Sequence, residues 1–287
     1  MHVSYAGDTY NTAVYLKRTA VALGVTTEVG YLTGLGDDEY SDDMRAAWSA
    51  EGVTDRALLI NGHLPGLYTV RVDDRGERRF AYWRSASAAR ELLAGTDWID
   101  HIDGDYVHLS GITLQLAPTK TRDALVDKLD GLRQQGTTIS FDTNYRPSGW
   151  QSADEAAQAM NHTARAATIV FATLDEETAM HGSRTAAEAA DRLARLGVPE
   201  VAVKAGADGA HVLADGHLRH VPARPVPAVV DTTAAGDAFA GGYLAARMAG
   251  KHPFDAAAVA VHVAGEVVTH PGAIIPAGTP LVLGEPR

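Results

Sequence analysis

The stretch Asp231-Thr232-Thr233-Ala234-Ala235-Gly236-Asp237-Ala238-Phe239-Ala240-Gly241-Gly242 constrains this chain more than any other. Val226, Val229 and Val230 make an apolar, β-branched approach that predicts a strand before it. Tyr243-Leu244-Ala245-Ala246-Arg247-Met248-Ala249 predicts a helix after it. Between the two lie residues small enough for a ligand to reach the backbone. A helix N-terminus presents unpaired N–H groups and a partial positive charge, so a small-residue turn there suits an anion. Asp237 falls where such a site would hold a phosphate. A carboxylate is repelled by phosphate, so it needs a task there. Accepting the proton of a hydroxyl that attacks the phosphate is the obvious one. A tight turn with Asp237 as a first-turn cap is the plainer alternative.

With 287 residues the chain can bury a sizeable core, with room for one large domain and a small appendage. Its hydrophobic content of 46% and mixed charge predict a soluble globular protein. A net charge of −11 argues against nucleic acid or an acidic membrane as the default partner. The chain has no cysteine, which excludes disulfides, thiolate zinc sites and cysteine nucleophiles. Met1–Tyr5 shows neither a basic nor an apolar leader region, and no apolar run reaches the ~18 residues of a membrane span. A cytoplasmic enzyme is the expectation.

Residues 1–8 read as a short extended piece, and 9–24 as a helix closed by Gly24 with Asp8 or Thr9 as cap. Asn11 serves either as a capping contact or in holding a sugar hydroxyl. A strand is predicted over Thr27–Leu32 and a helix over 41–52. Gly34 and Gly36 mimic a dinucleotide loop, but the pattern is incomplete and acidic residues follow it. Between Arg56 and Arg84 the texture becomes a meander. Ala57–Ile60, Gly66–Val72 and Arg79–Trp83 read as strands, with turns at Asn61-Gly62 and at 73–76. Such a meander suggests a small β lid, or a dimer face, or both. It carries Tyr68, Tyr82 and Arg84. Arg84 beside aromatic rings suits a two-point grip on a carboxylate, unless it is simply a solvated side chain.

From residue 85 strands and helices alternate. Strands are predicted at 105–109, 138–142, 168–171, 198–204 and 210–213, and helices at 118–135, 152–166, 173–179, 185–196 and 254–269. This order predicts a mostly parallel sheet covered on both faces, with ligands at the carboxyl ends of its strands. Ser110, Asp142, Asn144, Arg146, Lys204, Asp231 and Asp237 collect at those positions. His252, His262 and His270 lack the spacing of a zinc site and read as structural or solvated.

The Asp231–Gly242 block closely resembles the signature of PfkB-type, ribokinase-like carbohydrate kinases, with Ala234 in place of the commoner first glycine. Further blocks resemble the bacterial 2-keto-3-deoxygluconate kinase branch. They are Gly7–Leu16, Leu64–Tyr68, the 76–84 segment ending Tyr82-Trp83-Arg84, Ser87–Arg90, Phe141–Pro147 and Gly272–Pro276. The resemblance implies a catalytic α/β domain over 9–55 and 85–287 and a small β lid over 1–8 and 56–84. Members normally begin with one more sheet strand and one more lid strand ahead of the Gly-Asp block. Either the natural start therefore lies upstream, or the sheet lacks a strand.

It also implies transfer of phosphate from ATP to a terminal sugar-acid hydroxyl, with Asp237 as base. The N–H groups of Ala234, Ala235 and Gly236 would form an anion hole. Gly7, Tyr68, Tyr82, Arg84, Asn144 and Arg146 would hold the acidic sugar. Lys204, Gly206, Gly209 and Thr232 would hold the nucleotide, with the segment after Val261 beside adenine. Glu176 would organise Mg2+ through water, although Thr173 stands where the family has Asn. A monovalent cation has room in this scheme. Implied partners are the sugar acid, ATP and a second copy through the lid, with no nucleic acid or membrane. The alternatives are a same-fold kinase of a neutral sugar or nucleoside, and a non-catalytic sugar-binding protein. A nicotinamide enzyme is the weakest, since no complete Gly-x-Gly-x-x-Gly loop follows an early strand.

Overall fold

The structure, a computed structural model, describes residues 4–72, 78–281 and 283. Helix α1 (Asp8–Ala22) opens it. Two short strands, β1 (Gly30–Tyr31) and β2 (Gly34–Leu35), precede α2 (Glu39–Ala50). Then β3 (Thr54–Asp55) and β4 (Leu58–Leu59) return alongside them, and a longer hairpin follows, β5 (Leu67–Val72) and β6 (Arg78–Trp83). Next come α3 (Ala88–Ala94), β7 (Tyr106–Ser110), α4 (Gly111–Leu116), α5 (Thr119–Gln134), β8 (Thr138–Asp142), α6 (Ala153–Ala166) and β9 (Ile169–Thr173). The chain continues through α7 (Leu174–His181), α8 (Ala186–Arg195), β10 (Glu200–Lys204), β11 (Ala210–Ala214), β12 (His217–Val221), α9 (Ala235–Met248) and α10 (Pro253–Val267).

The main sheet has six strands in the order β12-β11-β10-β9-β8-β7. β7 to β10 run parallel, and β11 and β12 turn back antiparallel. Along β9, Ile169 and Phe171 join the core under α1, α9 and α10, while Val170 and Ala172 join the core under α5, α6 and α8. A strand buried on both faces needs apolar residues throughout, which is why 169–172 carries no polar alternation. Side chains cap the helices of this layer: Ser152 accepts from the Glu155 N–H, Thr185 from Glu188 and Asp38 from Tyr40 and Ser41. Among the described residues no helix is long and apolar enough to cross a membrane.

Helices α1 and α9 cross where α9 has no side chain. A Cβ on Gly241 would lie 2.6 Å from the Thr12 carbonyl oxygen and 2.7 Å from the Leu16 nitrogen. Gly242 similarly admits Val263 of α10. Tyr15 fastens the same layer to the end of the chain, donating to the Ala273 carbonyl at 2.7 Å and accepting from the Ile275 N–H at 3.1 Å.

The structure departs from the sequence expectations at several elements. The strand expected over 226–230 is absent. β12 ends at Val221, and the chain then passes Pro222, Pro225 and Pro227, which cannot donate to a ladder. Val229 and Val230 are exposed, and the N–H groups of Val230 and Asp231 both donate to the Val268 carbonyl. Asp8 does not cap α1: Gly7 holds the N-cap position, and no side chain caps it. Residues 4–7 form no strand. Gly34 and Gly36 belong to a short strand and turn, with Gly34 against the Ala88 backbone. The turn at 73–76 lies outside the described residues, while β12 and α3 add elements that the sequence reading lacked.

The strand expected over Thr27–Leu32 shrinks to Gly30–Tyr31, and the expected Ala57–Ile60 shrinks to Leu58–Leu59. The first pairs along one side only. The Val29 and Tyr31 carbonyls accept from Thr54 and Arg56, so the backbone groups of Gly30 face the other way. On that side lies a cavity of about 210 Å³, bounded opposite by Tyr106 and His108 of the edge strand β7. The ladder of β1 with β3 holds only the Gly30–Thr54 and Tyr31–Asp55 pairs, and that short pairing sets its length.

Candidate active site

A cavity of about 780 Å³ opens at the carboxyl ends of the parallel strands, between the main sheet and the β5–β6 hairpin. Asp142 ends β8, Thr173 ends β9 and Lys204 ends β10, and all three line it. The first turn of α9 closes one wall with Ala234, Gly236 and Asp237, and the first turn of α1 closes another with Asp8 and Asn11.

Asp237 sits at the floor. Asn11 donates its Nδ2–H to Asp237 Oδ2 at 2.8 Å, and Asn11 Oδ1 accepts the Gly7 N–H at 3.3 Å. Asn11 thus ties the Gly7 backbone to the Asp237 carboxylate and orients it. Burial pushes the Asp237 carboxyl up to about 7, and the Asp8 charge pushes the same way, against the Asn11 hydrogen bond. A base of that strength is half ionised near neutral pH and can both take and release a proton. Asp8 accepts from Ser110 Oγ and from Asn144 Nδ2 at 3.3 Å. Burial, more than any neighbour, raises its carboxyl as well.

The anion loop is held from both ends. Asp231 accepts the Thr233 N–H at 2.7 Å and the Gly272 N–H at 2.9 Å. Ala234 has φ 62, in the left-handed region, where glycine is free and alanine is not. The commoner first glycine of the resembling signature therefore has a conformational reason, and Ala234 adopts that conformation with its Cβ in place. The N–H groups of Ala234 and Gly236 have no acceptor among the described residues, whereas that of Ala235 donates to the Thr232 carbonyl at 3.2 Å. Lys204 leans over this turn, with its Nζ 3.2 Å from where a Gly236 Cβ would be. The same Nζ donates to Asp142 Oδ2 at 2.6 Å, and both side chains are largely buried. A cation fixed beside two free N–H groups is a built place for an anion.

On the opposite side stand the residues expected to hold the sugar. Gly7 ends the segment before α1. Tyr68 of β5 and Tyr82 of β6 place their ring centroids 6.1 Å apart. The Arg84 guanidinium lies 4.7 Å over the Tyr82 ring. Asn144 follows β8 at φ 34, a conformation asparagine tolerates, and its N–H donates to Asp142. Arg146 donates to Glu176 Oε1 at 2.8 Å and remains half exposed. Glu176 also accepts from the Thr143 hydroxyl at 3.1 Å. Burial raises its carboxyl, and the charge of Asp142 adds to the rise. Arg84, Arg146 and Asp237 all face the one cavity.

A second cavity, about 570 Å³, adjoins the first behind the loop. Lys204, Gly236, Thr232 and Thr173 line both. Its other walls are mostly apolar: Val261, Ala264, Gly265 and Val268 from and after α10, with Gly206 and Gly209 opposite and Arg224 the one charged side chain among the described residues there. Those two glycines bracket a turn at φ 56 and φ 103. Every residue to which the resemblance gives a role thus borders one of two cavities that touch at the anion loop, whereas Ser110 and Asp231, also singled out from the sequence, line neither. The sequence reading missed Asp8 as a site residue, taking it for a cap. Its position directly after Gly7 in a helix-opening Gly-Asp pair was the available signal.

Residues 1–280 match the family described as pfkB family carbohydrate kinase. The 2-dehydro-3-deoxygluconokinase of Dickeya dadantii is 42% identical over 281 residues, covering 95% of this chain and 90% of that one. The Haemophilus influenzae protein of the same name is 38% identical over 283 residues, covering 96% and 89%. Among solved structures, aminoimidazole riboside kinase from Salmonella enterica, complexed with aminoimidazole riboside and an ATP analog, superposes with a TM-score of 0.77 at 26% identity. It covers 93% of this chain and 86% of that one. With a signature loop at the mouth of both cavities and a family match over nearly its whole length, this chain belongs to the pfkB family of carbohydrate kinases.

Proposed function

We propose that the chain transfers the γ-phosphoryl group of ATP to the C6 hydroxyl of 2-keto-3-deoxy-D-gluconate, giving 2-keto-3-deoxy-6-phosphogluconate and ADP. The observation that carries this reading is the placement of Arg84, Arg146 and Asp237 around one polar cavity that meets an apolar cavity at Lys204 and Gly236. Two arginines suit a carboxylate-bearing sugar and are wasted on a neutral one. The names of the relatives from Dickeya dadantii and Haemophilus influenzae support the same substrate.

The sugar acid would lie with its carboxylate toward Arg84 and Arg146 and its far hydroxyl toward Asp237. Tyr68, Tyr82, Asn144 and Gly7 would shape the space between. Asp237 takes the hydroxyl proton as the new O–P bond forms and the bond to the ADP oxygen breaks. Asn11 fixes which carboxylate oxygen is free to do so. The N–H groups of Ala234 and Gly236, with Lys204, neutralise charge on the moving phosphoryl group. In this structure Ala235 contributes less, because its N–H is already engaged. The apolar cavity would take the adenine, with Gly206, Gly209 and Thr232 along the phosphates.

Asp8, Asp142, Glu176 and Asp237 gather around the polar cavity, and burial holds the Glu176 and Asp237 carboxyls above their ordinary range. That excess of buried acid fits a divalent cation. Magnesium supplies charge neutralisation between phosphate oxygens when bound, and Glu176 would hold it through water.

The test is coupled ADP release with ATP-Mg and 2-keto-3-deoxygluconate, beside ribose, fructose and no sugar. Turnover that depends on the sugar acid and is lost in Asp237→Asn is expected. Turnover with ribose or fructose alone, unchanged in Arg84→Gln and Arg146→Gln, would instead establish a neutral-sugar kinase.

A further inference from the structure

Outside the lining of both cavities, although Asp208 sits between Ala207 and Gly209 of the second, three metal-ligating side chains converge at the β11–β12 hairpin. Asp208 ends the short 3-10 turn Gly206–Asp208 that joins β10 to β11. His211 of β11 and His220 of β12 are direct cross-strand partners. Their rings stack with centroids 4.6 Å apart and planes 28° apart. His211 Nε2 lies 3.1 Å from Asp208 Oδ2, and His220 Nε2 lies 3.5 Å from Asp208 Oδ1. One nitrogen from each ring and one carboxylate oxygen all fall within 4.8 Å of one another.

From this geometry we propose that Asp208, His211 and His220 form a binding site for a divalent transition-metal ion of the Zn2+ type. Two imidazole nitrogens and one carboxylate oxygen make a donor set that Zn2+, Ni2+ or Cu2+ prefers and that Mg2+ or Ca2+, which want oxygen ligands, does not. The site is distinct from the cation expected beside Glu176, both in place and in chemistry. Three protein ligands leave a further coordination position for water, which suits a partly exposed cluster.

The backbone is already arranged for it. An antiparallel pair fixes the separation of the two rings, so little side-chain freedom remains to be lost. Gly209 fixes Asp208 in turn. It sits at φ 103, and a Cβ there would lie 2.2 Å from the Val221 carbonyl oxygen and 2.5 Å from the Ala223 nitrogen. That close approach presses the turn onto the end of β12, next to His220. An ion held by all three side chains would tie the turn, β11 and β12 together. The Asp208 carboxylate serves both rings, and the Asp208 main-chain oxygen lies 2.7 Å from His220 Nε2.

The test uses the full chain freed of metal by chelation and titrated calorimetrically with ZnCl2, then with NiCl2 and MgCl2. The chain has 12 histidines, so weak background binding is set by the His211→Gln, His220→Gln double variant. One Zn2+ equivalent per chain is expected above that background, weakened at least about tenfold in either single variant, with no competition from millimolar Mg2+. Zn2+ should also raise the melting temperature of the parent chain and not that of the double variant, whose own melting temperature reports that it folds. Equal Zn2+ binding by the parent and the double variant would overturn the proposal, as would the absence of any Zn2+ equivalent in the parent. Sugar-kinase turnover enters neither readout, so failure here leaves the proposed reaction standing, and failure of that reaction leaves this site standing.

Discussion

Asp237 combines two properties that pull against each other. As the proposed base it must be ionised, yet its surroundings favour the neutral form up to about pH 7. The free-enzyme kcat/KM should therefore fall about tenfold per pH unit below about 7, and a profile flat down to about pH 5 would remove Asp237 from the role. The stability consequence has the opposite sense. In the unfolded chain this carboxyl ionises in the ordinary range, so between there and about pH 7 the folded chain holds a proton that the unfolded chain has lost, and stability declines as pH rises through that window. Asp237→Asn should then be inactive but more stable near pH 8, by on the order of 2 kcal/mol in chemical denaturation. Ala234 is a second strained residue. Ala234→Gly relieves ~1 kcal/mol of left-handed strain and adds comparable freedom to the unfolded chain. Its melting temperature should barely move, and turnover should persist. The loop position of Asp237 was legible because a carboxylate beside an anion loop is unusual in sequence, whereas Arg84 and Arg146 were placed by the resemblance, Arg84 by itself reading equally as a solvated side chain. Asp8 was not legible, because a helix-opening aspartate most often caps, and only the fold brings Ser110 and Asn144 to it.

Among the elements, the contact of α1 with α9 governs the site, because it sets Asn11 of one helix against Asp237 of the other. Gly241 permits that contact. Gly241→Ala places a methyl group against backbone atoms that cannot rotate away. It should cost about 1–3 kcal/mol and reduce kcat more than it alters either KM, as the helices part and Asn11 draws back. Unchanged kcat in a destabilised variant would mean that Asn11 is dispensable. The central strand with apolar residues on both faces, 169–172, was readable from composition alone. The valines before Asp231 misled because β-branching reports a preference for extended backbone, not the presence of a partner, and prolines had already ended the pairing. The residues around Gly30 misled for a related reason: their pairing with β3 covers Gly30 and Tyr31 only.

For the molecule as a whole, alternation of strands and helices was enough to predict a parallel sheet with a site at its carboxyl edge. Of the small paired strands before residue 60, β1 and β4 fell within longer expected strands, whereas β2 and β3 were not expected, since two-residue ladders leave no period to read. The hairpin β5–β6 exposes Leu67 and Trp83, with Leu59 and Leu64 exposed nearby. Exposed apolar side chains of this size suit a contact with a second copy of the chain. The chain should sediment as a dimer, and Leu64→Ser with Trp83→Ser should leave monomers that still turn over; a monomeric parent chain would refute it. Arg84 follows that hairpin, whereas Arg146 follows a strand of the main sheet. An acid group reaching both would therefore act as a latch, its negative charge drawing the hairpin down onto the body as the hydroxyl arrives at Asp237. Recognition would then be a matter of closing rather than fitting. A sugar without the acid could enter the same space and leave the door ajar, and the water admitted with it would dilute every charge on which the transfer depends.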